Sequence, residues 1–231
     1  MMNSLLLFVY YDENIEDTIN FLKKIEFKNL NHKKIKFDKY YSSPNRVKEI
    51  EKLNYNYIKH DNKFLDWSGY MSAEKLIKKR KYSFCMFFND TLVKKRYFGF
   101  FFSVWLNRGI NLFLKEKIDL ACPYDSDNEN SWMCSYLFLV KPEIINDYFK
   151  QIKLNNFLNI LNKLEKNRID NWINKSWRRS DYADKITKLK KKNSIYIEKS
   201  FLKSIYIPKI FKYKKISFFR IMNSIERRIL K

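Results

Sequence analysis

Residues 82–88, Tyr-Ser-Phe-Cys-Met-Phe-Phe, are the most apolar run of the chain and stop abruptly at Asn89-Asp90-Thr91. A run that is apolar at nearly every position needs cover on both of its faces. It therefore predicts a buried strand in a sheet with helices on both sides. Residues 4–11 are a second run of this kind. The stretch that follows sets Ile15, Ile19, Leu22 and Ile25 at helical spacing, behind a cap at Asp12 or Asn14. Residues 34–41 and 55–58 read as further strands, separated by the turn cluster Ser42-Ser43-Pro44-Asn45 and a short helix over 47–53. Strand–helix–strand order at this spacing predicts an α/β fold with a mainly parallel, or mixed, sheet flanked by helices.

The remaining segments extend that pattern. Residues 64–80 carry Trp67, Tyr70, Met71, Ala73, Leu76 and Ile77 on a helical face that ends in Lys78-Lys79-Arg80. An aromatic-rich helix is expected over 97–115, interrupted near Gly109, then a strand over 118–122 that leaves at Pro123. An acidic loop at 124–131 leads to an apolar run at 132–140, and Pro142 suits the first turn of a helix. Beyond it the chain reads as helical and ends in an amphipathic basic helix over 217–231. The expected division is an α/β catalytic part at 1–150 and a basic, mostly helical extension at 151–231, packed on it or facing a membrane.

Charge supports the same division. Residues 1–150 hold 25 basic and 19 acidic residues, whereas 151–231 hold 22 basic and 6 acidic. A surplus this lopsided implies an anionic partner: phosphorylated small molecules, nucleic acid or an acidic membrane surface. Codon bias in an AT-rich genome also yields many Lys, Asn, Ile, Tyr and Phe with only three Gly. So few glycines leave no material for a Walker loop or a Gly-x-Gly fingerprint, which removes ATPase and dinucleotide-dehydrogenase readings. Cys85, Cys122 and Cys134 lack metal-site spacing and read as buried free thiols in a reducing compartment. The apolar start lacks a basic leader, and no window reaches the roughly 18 uncharged apolar residues that span a bilayer. The expectation is a cytoplasmic chain, peripheral on the inner face of the membrane if it meets one.

Asp90 is the first candidate for chemistry. A carboxylate at the carboxyl end of a buried strand sits where ligands bind in such sheets. There it can hold a divalent cation that bridges two phosphates, or simply close a turn. Asp125-Ser126-Asp127 is a literal Asp-x-Asp, read as a cation site, as the source of a general base at Asp125 or Asp127, or as a solvated turn. Trp67, Tyr70 and Trp132 read as core rings or stacking platforms. His32 and His60 are lone histidines and read as surface residues.

In their order along the chain, Asn62, Asp66-Trp67-Ser68-Gly69-Tyr70, Phe87-Phe88 and Asn89-Asp90-Thr91 resemble bacterial GT-A-type glycosyltransferases, in particular the group tied to rhamnan synthesis and cell-surface polysaccharide. The resemblance covers roughly residues 4–150. It implies a GT-A-like fold and a nucleotide-sugar donor held by Asn62, Asp66, Trp67, Gly69, Tyr70 and Asn89. It also implies a divalent cation, manganese or magnesium, at Asp90, and a glycan or lipid-linked acceptor in polysaccharide or lipopolysaccharide synthesis. The family's acidic motif has two carboxylates, and Phe88-Asn89-Asp90 offers one. The competing reading is a non-enzymatic, basic nucleic-acid-binding protein, with Lys188–Lys192 and Arg178-Arg179 on the phosphates.

Overall fold

The computed structural model describes residues 1–11, 14–30, 34–93, 99–126, 131–177 and 181–229, with side chains at all of these except 27, 29, 131, 213–217, 219, 220, 223 and 227. Strand β1 (Met2–Val9) leads through α1 (Ile15–Ile25) to β2 (Ile35–Ser43), then α2 (Lys48–Glu51) and β3 (Asn56–Lys59). Asn14 caps α1 by accepting the Asp17 N–H at 3.0 Å; the alternative cap, Asp12, lies outside the described residues. Two short helices, α3 (Asp66–Met71) and α4 (Glu74–Lys79), lead into β4 (Cys85–Asn89). After β4 come α5 (Phe100–Leu114), β5 (Leu120–Ser126), β6 (Ser131–Met133), β7 (Leu137–Val140) and α6 (Pro142–Lys153). The last segments are α7 (Phe157–Ile160), α8 (Lys163–Lys175), α9 (Lys185–Ser204), β8 (Ile210–Lys215) and α10 (Ile216–Ile229).

The fold is α/β with one mixed sheet, in the order β3-β2-β1-β4-β7-β5-β6, and β8 adds beside β5. β1, β2, β3 and β4 are mutually parallel; β7 turns against both β4 and β5. Both faces are covered, which explains the unbroken apolar runs. Leu6, Phe8, Phe84, Met86 and Phe88 face a core shared with Leu22, Trp105 and Ile110. Leu5, Leu7, Val9, Cys85 and Phe87 face a second core with Trp67, Tyr70, Tyr148, Ile197 and Phe201. Cys85, Cys122 and Cys134 are buried and free, and burial pushes the thiols of Cys85 and Cys122 up.

Three expectations change. α5 runs unbroken through Gly109, where an added Cβ would stand 3.3 Å from the Ala121 Cβ, so the glycine serves close helix–sheet approach. β5 does not leave at Pro123 but continues past it, because the register with β8 shifts between Cys122 and Tyr124 and the bulge absorbs the missing N–H. The stretch 151–231 also does more than extend the domain. α9 buries Tyr196, Ile197 and Phe201 in the second core, and β8 joins the sheet.

Candidate functional site

The strands proceed from β1 outward to β2 and β3, then return to place β4 on the other side of β1. The crevice beyond the carboxyl ends of β1 and β4 is therefore the point where the winding direction switches, and ligands in open α/β sheets bind at such points. Val9 pairs in register with Asn89, so the next residues, Tyr10-Tyr11 and Asp90, flank this crevice. The Tyr11 N–H donates to Asp90 Oδ2 at 2.9 Å across it. Asp90 opens a single 3-10 turn over Asp90–Leu92 and is almost wholly buried. Asn89, fully buried, caps that turn by accepting the Thr91 N–H at 3.1 Å.

Beside Tyr11 lies His60, whose ring meets the Tyr11 ring edge-on at 5.4 Å. His60 is buried, which corrects the surface reading. Burial lowers its pKa to about 4, against a smaller upward pull from Asp61. The ring is thus neutral near pH 7. Its Nδ1 accepts the Asn62 N–H at 3.1 Å, so the single proton resides on Nε2. That Nε2–H, the Asn62 Oδ1 and the Tyr11 hydroxyl are buried without a hydrogen-bond partner among the described residues. Unpaired buried polar atoms are costly, and their clustering marks a place that a ligand's own donors and acceptors would complete. The loop that presents them is strained: Asn62 has φ 56 and Leu65 has φ 50. Asn tolerates the left-handed region, whereas Leu there costs roughly 1–3 kcal/mol.

A second group lies across the Tyr70 phenol. Tyr70 donates to the Ser135 carbonyl at 2.6 Å, and the Ser135 hydroxyl donates to Glu198 Oε2 on α9. Burial pushes the Glu198 carboxyl up, and the charge of Asp66 adds to this, while the Ser135 hydroxyl and Lys191 pull it down. The Tyr70 hydroxyl, raised chiefly by burial, also feels the charges of Asp66, Glu198 and Asp90. Three carboxylates from α3, α9 and the end of β4 therefore converge on one buried phenol.

The expected site residues separate on these facts. Asn89 and Asp90 stand at the carboxyl end of β4, Asn62 lies beside His60, and the charge of Asp66 acts on Tyr11 and Tyr70. Trp67 and Tyr70 are wholly buried, with Trp67 enclosed by Tyr70, Phe138, Tyr148 and Phe201, so neither ring offers a face to a solute and their donor-stacking role is corrected to core packing. Gly69 is likewise a packing residue: an added Cβ would stand 2.5 Å from the Val9 Cγ1, so no larger residue lets α3 settle on β1. Asp125 is half-exposed on the β5–β6 hairpin, its Oδ1 accepting the Ser126 N–H at 2.9 Å, and Asp127 lies outside the described residues. The half-exposed Trp132 ring is covered on one face by the Lys199 ammonium at 3.6 Å. His32, Arg178 and Arg179 lie outside the described residues.

Sequence reasoning missed Tyr11, Ser135 and Glu198. A signal existed for Glu198, the only acidic residue between positions 185 and 225 of a strongly basic segment. No grouping of three metal-ligating side chains occurs among the described residues. Asp90 alone fits a cation only if the remaining ligands are phosphate oxygens and water.

No protein-family model matches the chain, and no curated protein matches it. Solved structures similar to it include the bifunctional IspDF from Campylobacter jejuni, 14% identical, with a TM-score of 0.41. That likeness covers 65% of this chain and 44% of that one, so the chain spans less than half of that protein's length. A likeness at that score does not establish a shared fold.

Proposed function

We propose that the chain is a GT-A-like glycosyltransferase that moves a sugar from a nucleotide-sugar to a hydroxyl of a cell-surface glycan or lipid-linked acceptor. The observation that carries the reading is the hydrogen bond from the Tyr11 amide to Asp90 across the β1–β4 switch point, with unpartnered His60 and Asn62 atoms beside it. His60 Nε2–H can give a hydrogen bond and Asn62 Oδ1 can take one, a pairing that suits the edge of a nucleobase. Asp90 then stands at the diphosphate end. A divalent cation held there by the diphosphate and Asp90 would neutralise the leaving group.

On the acceptor side the reading assigns Glu198 in place of Asp125 or Asp127. Its carboxylate, half-buried and oriented by the Ser135 hydroxyl, takes the proton of the acceptor hydroxyl. The freed oxygen attacks the anomeric carbon, the bond from that carbon to the diphosphate breaks, and the nucleoside diphosphate leaves with the electron pair. Tyr70 acts as a positioning residue that fixes Ser135 through its carbonyl.

The test is a thermal-shift series with nucleoside diphosphates, with and without manganese, on the parent chain and on Asp90→Asn. Asn keeps an oxygen for the Tyr11 amide but loses the charge. The parent should gain stability as RT ln(1 + [L]/Kd) with ligand concentration, and Asp90→Asn should gain much less. If Asp90→Asn and Asp66→Ala both turn over a nucleotide-sugar at the parent rate, the site assignment fails.

A further inference from the structure

The first turn of α5 exposes Phe100, Phe101 and Val104, and α10 exposes Ile221, Ile225 and Ile229 at spacings of four residues, in one line along the helix. The two elements belong to one surface. α10 packs against α5, and Glu226 Oε2 accepts the Phe100 N–H at 2.9 Å. Phe218, at the start of α10 and on the same side of the helix, packs partly buried against the core, while Ile221, Ile225 and Ile229 beyond it stay exposed. Residues 210–231 carry seven basic residues and one acidic residue, and that one, Glu226, is held on α5. Lys94-Lys95-Arg96 directly precede this turn in sequence, and Arg108 and Arg228 are exposed along the two helices. Next to Val104 a shallow cavity of about 450 Å³ is lined by Asn107, Arg108, Asn111, Leu112 and Lys115. Its cations and amides match an anionic headgroup.

We infer that this α5–α10 face docks on an anionic lipid bilayer, the isoleucines and phenylalanines inserting shallowly while the surrounding Lys and Arg meet phosphate headgroups. The shape of the patch favours lipid over an acidic protein. Its apolar side chains protrude in a narrow line, which a fluid interface receives without a matching surface. A stable protein interface needs about 800 Å² of complementary surface per partner. Orientation adds to this. Phe113 near the end of α5 meets Phe84 at the start of β4, with ring centroids 5.0 Å apart, so the first turn of α5 lies at the sheet end that carries Asp90. Docking there brings the crevice to the membrane, where a lipid-linked acceptor would be found. The docking itself does not depend on the transferase reading.

Co-sedimentation of the full chain with vesicles tests it without any donor or turnover. The parent should pellet with mixed phosphatidylcholine–phosphatidylglycerol vesicles and stay in solution with phosphatidylcholine alone. The double variant Phe101→Glu/Ile225→Glu, at exposed positions and with an unchanged melting temperature, should lose at least about tenfold in partitioning. Arg108→Glu/Lys115→Glu should lose affinity and show a weaker salt dependence. A parent that ignores anionic vesicles overturns the inference. So does a Phe101→Glu/Ile225→Glu variant that pellets like the parent, because the attraction would then be diffuse charge. A parent that sediments as a dimer while the variant is monomeric assigns the face to a second copy and overturns it too.

Discussion

His60 couples the crevice to pH. Its pKa is about 4 in the folded chain, against an unfolded value of 6.5. Between these values the unfolded chain holds a proton that the folded chain lacks, so stability rises with pH across this window. It is lost as pH falls from 6.5 toward 4, by up to about 1.4 kcal/mol per pH unit. Glu198 acts in the opposite sense: its raised carboxyl binds a proton in the folded state first, so its contribution declines as pH rises above the ordinary carboxyl value of 4.5. Denaturant unfolding of the parent and of His60→Gln across this range separates the two, because only the slope due to His60 disappears in the variant. An unchanged slope in His60→Gln would mean that His60 titrates as an exposed imidazole. A ligand that accepts from Nε2–H bonds the imidazolium more strongly than the neutral ring, so binding of a nucleoside diphosphate should raise the pKa of His60 and narrow the pH window over which stability is lost.

At the level of single elements, α3 and β1 meet at a contact only glycine allows. The Val9 side chain, stiff because it is β-branched, stands where a Gly69 Cβ would go. Gly69→Ala is expected to cost about 1–3 kcal/mol through overpacking, read as a lower melting temperature. Val9→Ala in the same chain should recover part of that loss. If Gly69→Ala leaves stability unchanged but abolishes nucleotide binding, Gly69 belongs to the site and not to the packing. The same contact shows why the element pattern was legible and part of the site was not. Apolar runs and helical spacing revealed β1, β2, β4, α1 and α6, because burial on two faces writes itself into composition. The motif around Trp67, Gly69 and Tyr70 was equally visible. Its meaning was not, since close packing and ligand contact select the same residues. Asp90 could be placed because a strand end is a local event. Glu198 could not, because its approach to Ser135, 63 residues away, and to Asp66, more than a hundred away, depends on how α9 folds back. β8 was hidden for a related reason, as Lys212, Lys214 and Lys215 break the apolar pattern of a strand that pairs at the edge beside β5.

For the molecule as a whole, the charge step near residue 150 is not a structural boundary. Ile169, Ile173, Tyr196, Ile197, Phe201 and Ile207 are buried in the second core. Phe201 stands 4.5 Å from Tyr148 and 6.1 Å from Trp67 between ring centroids, and the Tyr148 hydroxyl bonds to the Ile197 carbonyl. Some of the lysines in this part are paired, Lys192 with Asp170 and Lys203 with Glu165, joining α8 to α9. Such partly exposed pairs contribute about 1 kcal/mol at most. Apolar burial is the larger effect: six large side chains at roughly 2 kcal/mol each come to about 12 kcal/mol, comparable with the whole stability of a typical domain. A chain ending at Asn162 would therefore uncover Trp67, Tyr148 and Phe138 and strip β8 from β5. It should show no cooperative thermal transition by circular dichroism and should aggregate, while the full chain unfolds in one transition seen alike by far-ultraviolet signal and tryptophan fluorescence. A shortened chain that melts cooperatively and gains stability with a nucleoside diphosphate would show that the crevice does not need α9. Glu198 would then lose its assigned part in the reaction, while Asp90 and the β1–β4 switch point would keep theirs.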